Sequence, residues 1–398
     1  MTDVAERLEE LRERGLYRQL RLIEGPQGAS VTLDGRDVLL LCSNNYLGLA
    51  DRAEVREAAA EAAMRWGAGA GASRLISGNM EPHRQLEERL AAFKGYEAVL
   101  LFGSGYLANT GLIAALAGRN EVVFSDELNH ASIVDGCRLS RAETFVYRHC
   151  DLEHLAWALY RQRGKPALIV TDGVFSMDGD VAPLPELLEL ARRHGARLMV
   201  DEAHATGAVG PGGRGSVSAA GLSGEVDVVV GTLGKALGSY GAYACANAET
   251  VDFLVNTVRP FIFSTAPPPP AAGAALAALK LLEAEPELVS RLQANARQLR
   301  TALAAEGLGV GAAKTQVVPV HVGEAEKTME FCEAALRRGV FAQGIRPPTV
   351  PEGSCRLRCT VMATHSPENL ARAARQIGAA AREAGLAPAS AALTARAA

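Results

Sequence analysis

Residues 167–201 read ALIVTDGVFSMDGDVAPLPELLELARRHGARLMVD, and this stretch decides the fold. It holds two short apolar runs, ALIVTD (167–172) and RLMVD (197–201), on either side of PLPELLELARRHG (183–195). Continuous apolar runs of this length are typical of strands that are covered on both faces. The segment between them has helical spacing and ends at a glycine. The stretch therefore predicts a strand, a helix and a second, parallel strand.

Similar apolar runs occur on both sides of this stretch, each bounded by turn residues. They are AVLLF (98–102), EVVFS (121–125), TFVY (144–147), VDVVVG (226–231) and GAYACA (241–246). Their alternation with helical segments predicts an α/β fold built on a large, mostly parallel sheet of about seven strands, spanning about residues 50–260.

The pattern changes after the proline run at 267–270, where helices mix with alternating segments such as CRLRCTVMA (355–363). We therefore expect four parts in the chain. They are an N-terminal helix and arm (1–45), a large α/β domain (46–275), a smaller C-terminal α+β domain (276–386) and a disordered tail (387–398).

Composition excludes several classes of protein. The 398 residues carry a formal charge of −4, with 48% hydrophobic and 22% charged residues, which argues against a disordered chain and against a nucleic-acid or polybasic membrane role. The seven cysteines are scattered without metal-ligand spacing, so we expect no metal site and a reducing, cytoplasmic location. The charged, amphipathic N-terminus resembles a helix rather than a signal peptide.

A glycine-rich stretch, FGSGYLANTG (102–111), follows one predicted strand and opens a helix. Backbone N–H groups at such a helix start can bind an anion such as phosphate, here around Gly105. The stretch also matches a dinucleotide fingerprint through Gly103, Gly105 and Ala108, with Asp126 downstream for a ribose. A Rossmann-type NAD(P) oxidoreductase therefore stays open at this point.

Two further motifs follow predicted strands. In RLMVDEAHATG (197–207), Asp201 ends a strand and His204 lies three residues later; in VVVGTLGKALGSYG (228–241), Lys235 lies among glycines, three residues after Thr232. A desolvated lysine can form a Schiff base with an aldehyde. A nucleotide hydrolase is excluded, because the required P-loop hydroxyl is replaced by Ala236.

His130 in SDELNHASIVDG (125–136) and Ser176 in TDGVFSMDGD (171–180) also follow strands. Taken together, the motifs predict pyridoxal 5′-phosphate (PLP), with its phosphate at Gly105, its aldehyde carbon at Lys235 and its pyridine nitrogen at Asp201. His204 could reach the ring hydroxyl and His130 could stack on the ring. An aspartate on the ring nitrogen makes the ring an electron sink.

On SNNYLGLA (43–50), GAGASRLISGN (69–79), DEAHATGAVG (201–210) and TLGKALG (232–238), the sequence resembles the α-oxoamine synthase family over about residues 15–385. The resemblance implies a fold-type-I PLP enzyme with an aspartate aminotransferase-like fold. It also implies a homodimer with active sites at the interface. Members condense an amino acid with an acyl thioester and release carbon dioxide.

The resemblance also implies the roles of single residues. Lys235 holds the cofactor and moves the Cα proton, with Asp201, His204 and His130 around the ring. The other cofactor contacts implied are Gly105, Tyr106, Ser176, Thr232 and, across the dimer interface, Thr265. The substrate contacts implied are Arg18, Asn44, His130, Arg346, Thr349 and Arg358.

The segment IRPPTVPEGSCRLR (345–358) resembles the members that use L-alanine and pimeloyl-CoA or a pimeloyl-acyl carrier protein. A pimeloyl chain ends in a carboxylate, which the guanidinium of Arg346 could bind, whereas an acetyl chain has none. Arg358 resembles the arginine that binds the amino-acid carboxylate. A member that uses glycine and acetyl-CoA is the alternative within the family, and Arg21 is the alternative to Arg18.

Overall fold

The computed structural model describes residues 3–312 and 314–386. The expected disordered tail at 387–398 lies outside the described residues. The chain divides into two compact units, residues 49–176 with 181–289, and residues 1–48 with 177–180 and 290–398. The four-part division expected from the sequence stays a prediction. No helix among the described residues combines the length and apolar character needed to cross a membrane.

The unit of residues 49–176 and 181–289 is built on a seven-stranded sheet, and the α/β prediction is confirmed. In spatial order its strands are Ala98–Phe102, Ala242–Ala246, Val228–Thr232, Arg197–Asp201, Ala167–Asp172, Val122–Asp126 and Glu143–Tyr147. All seven apolar runs identified in the sequence are strands of this sheet. Strand Ala242–Ala246 is antiparallel to both neighbours, and the five strands from Val228–Thr232 onward are mutually parallel.

Helices surround this sheet because the strands are apolar on both faces; all six residues of Ala167–Asp172 are buried. The α-helices are Ala53–Trp66, Glu81–Lys94, Gly105–Leu116, Ala131–Ser140, Leu152–Arg161, Leu184–His194, Ser216–Ala219, Ala248–Thr257, Arg259–Phe263 and Pro269–Ala284, with 3-10 turns at Leu49–Asp51 and Pro211–Gly213. Leu112 and Ile113 of one helix join Val170, Met199 and Val230 of the sheet in a continuous apolar core. This core joins the helix to the sheet.

The described residues of the other unit form two small sheets. One has the strand order Ile23–Glu24, Ser30–Leu33, Arg36–Leu40 and Val340–Phe341, and the other has the order Val317–Gly323, Cys355–Thr360 and Gln343–Ile345. Its helices are Val4–Glu13, Ala325–Arg337 and Pro367–Glu383, together with Glu287–Ala305, which begins three residues before the boundary. The C-terminal mixture of helices and alternating strands predicted from the sequence is present here.

Candidate active site

Four predicted site residues lie where strands of the seven-stranded sheet end. Asp201 is the last residue of its strand and pairs in register with Asp172 on the neighbouring strand. Thr232 also ends a strand, and Lys235 follows in the glycine loop. His130 caps the helix that follows another strand. Open α/β sheets bind their ligands at this carboxyl edge.

Lys235 and His204 are in contact. The Lys235 Nζ lies 2.8 Å from His204 Nε2; His204 is buried and Lys235 is half-buried. The loop that carries Lys235 is held by Thr232, whose Oγ1 donates to the Gly241 carbonyl at 3.1 Å and accepts from the Gly234 N–H at 3.1 Å. Thr232 thus orients the lysine loop from its base.

Asp201 is a buried carboxylate with two fixed donors. Its Oδ2 accepts from Asn109 Nδ2 at 2.6 Å and its Oδ1 from the Ala203 N–H at 2.8 Å. Among residues 3–312 and 314–386, no basic side chain forms an ion pair with it. A buried anion is costly without a cation or several donors, so this site fits a ligand that brings a protonated ring nitrogen.

Two more residues predicted to bind the cofactor, Gly105 and Tyr106, lie at the start of helix Gly105–Leu116. Ser104 caps this helix by accepting from the Leu107 N–H at 3.2 Å, and the first N–H groups of a helix have no partner within it. A Cβ placed on Gly105 would meet no atom within 4 Å, so there is open space at this helix start. Tyr106 is exposed, and its hydroxyl donates to the Asp135 carboxylate. The open helix start fits a phosphate group.

The remaining predicted cofactor residues are Ser176 and Thr265. Ser176 is half-buried in the turn that follows strand Ala167–Asp172. Thr265 is exposed and forms an isolated antiparallel bridge with Ser73.

Three residues of this site were missed by the sequence reasoning. Asn109 and Ser132 connect Asp201 to His130 by hydrogen bonds, and the Asp172 carboxylate accepts the His130 backbone N–H at 2.9 Å. Burial, reinforced by the negative charge of Asp201, raises the pKa of Asp172 well above its ordinary value. Asp172 ends a buried strand just as Asp201 does, and that shared pattern could have identified it.

Apart from His130, the predicted substrate residues belong to the other unit. Arg358 is buried on strand Cys355–Thr360, and its Nη2 lies 3.5 Å from Asn44 Oδ1, which also accepts from the Tyr46 hydroxyl at 3.0 Å. Thr349 is exposed, and its N–H donates to the Arg346 carbonyl at 3.2 Å. The structure thus brings Arg358 and Asn44 together, as expected for one binding site.

Arg346 is buried, and its Nη2 donates to the Tyr17 carbonyl at 2.7 Å. Its Nε has no hydrogen-bond partner, and no carboxylate forms an ion pair with it, among the residues the structure describes. Burial lowers the pKa of Arg346, and the positive charge of exposed Arg18 acts in the same direction. Arg21, by contrast, pairs with the Glu333 carboxylate.

The dinucleotide alternative lacks its ribose ligand. The Asp126 carboxylate is buried, and it accepts from the Leu128 N–H at 2.9 Å, the Cys150 N–H at 2.8 Å and His149 Nδ1 at 2.9 Å. Because the Asp126 carboxylate already accepts these three hydrogen bonds, it is not available to bind a ribose hydroxyl.

Residues 36–377 match the family model described as aminotransferase class I and II, and the chain belongs to this family. It is 55% identical to the 8-amino-7-oxononanoate synthase of Citrifermentans bemidjiense over 94% of this chain and 97% of that protein. The enzyme of the same name from Geobacter sulfurreducens is also 55% identical, over 96% of this chain and 99% of the relative.

Solved structures agree. Serine palmitoyltransferase from S. paucimobilis with a bound PLP–myriocin aldimine superposes with a TM-score of 0.92, at 33% identity, over 96% of this chain and 98% of that one. The 8-amino-7-oxononanoate synthase of Francisella tularensis gives a TM-score of 0.76, at 27% identity, over 87% and 98%. The family and these neighbours indicate pyridoxal 5′-phosphate as the cofactor, so the predictions of a fold-type-I PLP enzyme and of its cofactor are confirmed.

Proposed function

We propose that this chain is a PLP-dependent acyltransferase that condenses L-alanine with a pimeloyl thioester. The reaction gives 8-amino-7-oxononanoate, carbon dioxide and the free thiol, and serves biotin biosynthesis. The similarity to two synthases of that name supports the reaction. The observation that carries the choice of acyl substrate is Arg346, a buried guanidinium without a carboxylate partner among the described residues.

The proposed site holds the cofactor through the residues at the carboxyl edge of the seven-stranded sheet. Gly105 and Tyr106 at the helix start would bind its phosphate side, Ser176 and Thr232 would also contact it, and His130 would stack on its ring. Asp201 would hold the ring nitrogen in its protonated form. When bound, pyridoxal phosphate supplies an electron sink for a carbanion at the amino-acid Cα.

Lys235 is the proposed acid–base. Its Nζ takes the Cα proton of alanine and returns a proton at the end, and general acid–base catalysis of this kind contributes about 10²–10⁴ in rate. The Lys235 Nζ lies 2.8 Å from His204 Nε2, and this contact positions the amine. Hydrogen bonds from Asn109 and the Ala203 N–H fix the position of the Asp201 carboxylate, which would pair with the ring nitrogen.

Two arginines are proposed to bind the two carboxylates of the reactants. Arg358, with Asn44, binds the carboxylate of alanine until it leaves as carbon dioxide. Arg346 binds the far carboxylate of the pimeloyl chain, with Arg18 and Thr349 beside it. Because Arg21 is paired with Glu333, we prefer Arg18 as the second cation.

We further propose a homodimer in the cytoplasm, with Thr265 contributing to the partner's site. Thr265 is exposed, and all seven cysteines are free, as a reducing compartment requires. A monomeric mass of the PLP-loaded protein in solution would contradict the dimer.

The test is product formation by PLP-loaded protein. L-Alanine with pimeloyl-CoA or with a pimeloyl-acyl carrier protein should give 8-amino-7-oxononanoate, measured by mass spectrometry, and the faster of the two donors identifies the acyl carrier. Glycine with acetyl-CoA should give little product. Preferential use of glycine and acetyl-CoA would instead assign the chain to the acetyltransferase branch of the family.

A further inference from the structure

The side-chain amide of Asn109 lies at the centre of a buried hydrogen-bonded chain. Asn109 is on helix Gly105–Leu116 and is 1% exposed. Its Nδ2 donates to Asp201 Oδ2 at 2.6 Å and to Ser132 Oγ at 2.9 Å, so both amide hydrogens are used. Its Oδ1 is buried and has no hydrogen-bond partner among the described residues.

This orientation of the amide follows from electrostatics. If the amide were reversed, its carbonyl oxygen would face the Asp201 carboxylate, and two acceptors would repel each other. The amide is therefore held with both hydrogens toward Asp201 and Ser132, although its oxygen then stays without a donor. A buried acceptor without a partner costs stability and needs an explanation.

The Ser132 hydroxyl carries the chain to His130. Because Ser132 Oγ accepts from Asn109, its single hydrogen is left to donate, and His130 Nδ1 lies 2.7 Å away. The Ser132 backbone N–H also donates to this nitrogen, at 3.3 Å. An imidazole nitrogen that accepts from two donors carries no proton, so the ring proton is on Nε2.

We infer that Asn109 and Ser132 are positioning residues that hold His130 as the neutral tautomer protonated at Nε2 and couple it to Asp201. The backbone of His130 is held separately, by the Asp172 carboxylate at 2.9 Å from its N–H. This coupling explains why the Asn109 carbonyl oxygen is buried without a hydrogen-bond partner. The amide of the same side chain positions both Asp201 and, through Ser132, His130. The inference rests on the proposed function in one respect only, namely that His130 stacks on a cofactor ring.

The charges around His130 agree with a neutral ring. Although the residue is exposed overall, the surrounding protein desolvates its ring and lowers its pKa; the negative charge of Asp201 opposes this, and the positive charge of Lys235 reinforces it. A neutral ring with Nε2–H offers a single donor, and it is aimed away from Ser132. Such a ring can orient a substrate carbonyl without taking up the proton that Lys235 must move.

The direct test is nitrogen NMR of the apoprotein, made with ¹⁵N-labelled histidine at neutral to slightly alkaline pH. The His130 signals are assigned by their loss in His130→Gln. We expect Nδ1 to resonate as an unprotonated nitrogen and Nε2 as a protonated one. A protonated Nδ1, or fully averaged signals, in the wild-type protein would overturn the inference without any need for a variant to fold.

Two variants test the chain of bonds. Ser132→Ala should move the His130 signals toward tautomer averaging, and unchanged signals would contradict the inference. The matched control is Ser140→Ala, which removes another buried hydroxyl of the same helix whose bond is to the Cys137 carbonyl, and should leave His130 unchanged. Asn109→Leu should weaken cofactor binding by about tenfold, since Asp201 loses a hydrogen bond to a charged group.

The outcomes separate this inference from the proposed function. If the apoprotein shows the Nε2 tautomer but binds no pyridoxal 5′-phosphate, the proposed function fails and the tautomer assignment stands. If the protein binds the cofactor and forms product while His130 is protonated at Nδ1, the inference alone fails.

Discussion

At the scale of single residues, Arg346 carries the proposed choice of acyl substrate. Charged side chains are seldom buried without a partner, because the cost of desolvation must be met by an opposite charge. Arg346 is buried, and the hydrogen bond from its Nη2 to the Tyr17 carbonyl leaves its Nε unused. A ligand carboxylate would supply the missing charge.

We predict that Arg346→Gln raises the KM for a pimeloyl thioester by roughly 10- to 100-fold, the loss of one hydrogen-bonded charge pair. The affinity for L-alanine, followed by the absorbance of the bound cofactor, should stay the same. Arg21→Gln is the control, because Arg21 is already paired with Glu333, and it should change KM little. An equal loss of alanine affinity in the Arg346 variant would count against the assignment.

The proposed catalytic residues could be identified in the sequence where a motif gives each a local context. Lys235 lies among glycines after a strand, and Asp201 ends a buried run. Asn109 and Ser132 were not predictable, because their importance comes from hydrogen bonds between side chains that lie 23 and 92 residues apart in sequence. The local signal was weak: Asn109 is a polar residue within an apolar, buried helix, and so is its neighbour Thr110.

At the scale of secondary-structure elements, a buried ion pair connects helix Glu81–Lys94 to the turn after strand Arg197–Asp201. Lys94 Nζ contacts the Glu202 carboxylate, and both side chains are almost fully buried. Glu202 also accepts from Ser216 Oγ at 2.8 Å and from the Val217 N–H at 2.6 Å. Glu202 lies between Asp201 and His204 in the chain, so this pair anchors the turn that carries both.

Glu202→Gln should lower the free energy of unfolding by about 3–5 kcal/mol, because it leaves the Lys94 charge buried and unpaired. Urea unfolding measures this. The matched control is the ion pair of Lys165 with Glu143, 2.7 Å apart and about half exposed, where Glu143→Gln should have little effect. Equal effects of the two substitutions would show that burial does not distinguish the pairs.

A buried histidine in the other unit predicts a pH effect. His365 Nδ1 accepts from the Met362 N–H at 2.9 Å, Nε2 lies 3.1 Å from the Leu40 carbonyl, and burial lowers its pKa from 6.5 to about 4. His365 therefore becomes protonated below pH 6.5 in the unfolded chain but only below about pH 4 in the folded chain. The stability that the neutral His365 contributes is fully present above pH 6.5 and is lost as the pH falls from 6.5 to about 4.

This loss amounts to about 3 kcal/mol. Urea unfolding of the wild type and of His365→Gln over this pH range isolates it, since all other groups titrate in both proteins. We expect the difference in unfolding free energy between the two to shrink as the pH falls. A constant difference would contradict the role of His365.

The strands of the large sheet were predictable because each is a continuous apolar run between turn residues. The pairing of Arg36–Leu40 with Val340–Phe341 was not, because the partners lie about 300 residues apart and the second has two residues. Short strands of this kind depend on tertiary contacts rather than on local sequence.

At the scale of the whole molecule, alternation of strands and helices predicted the fold class, and the family match over residues 36–377 confirms it. Composition excluded other classes but identified no activity. The oligomeric state and the identity of the acyl carrier were not predictable from the residues alone. Both depend on surface residues that contact other molecules, and such residues show little periodicity in a single sequence.

The central claim is that Lys235 binds pyridoxal 5′-phosphate, and borohydride reduction followed by peptide mass spectrometry tests it most directly. Reduction of the PLP-loaded protein should fix one cofactor group per chain on the peptide that contains Lys235, and Lys235→Ala should carry none. A label on any of the other five lysines, or none on the wild-type protein, would contradict the account.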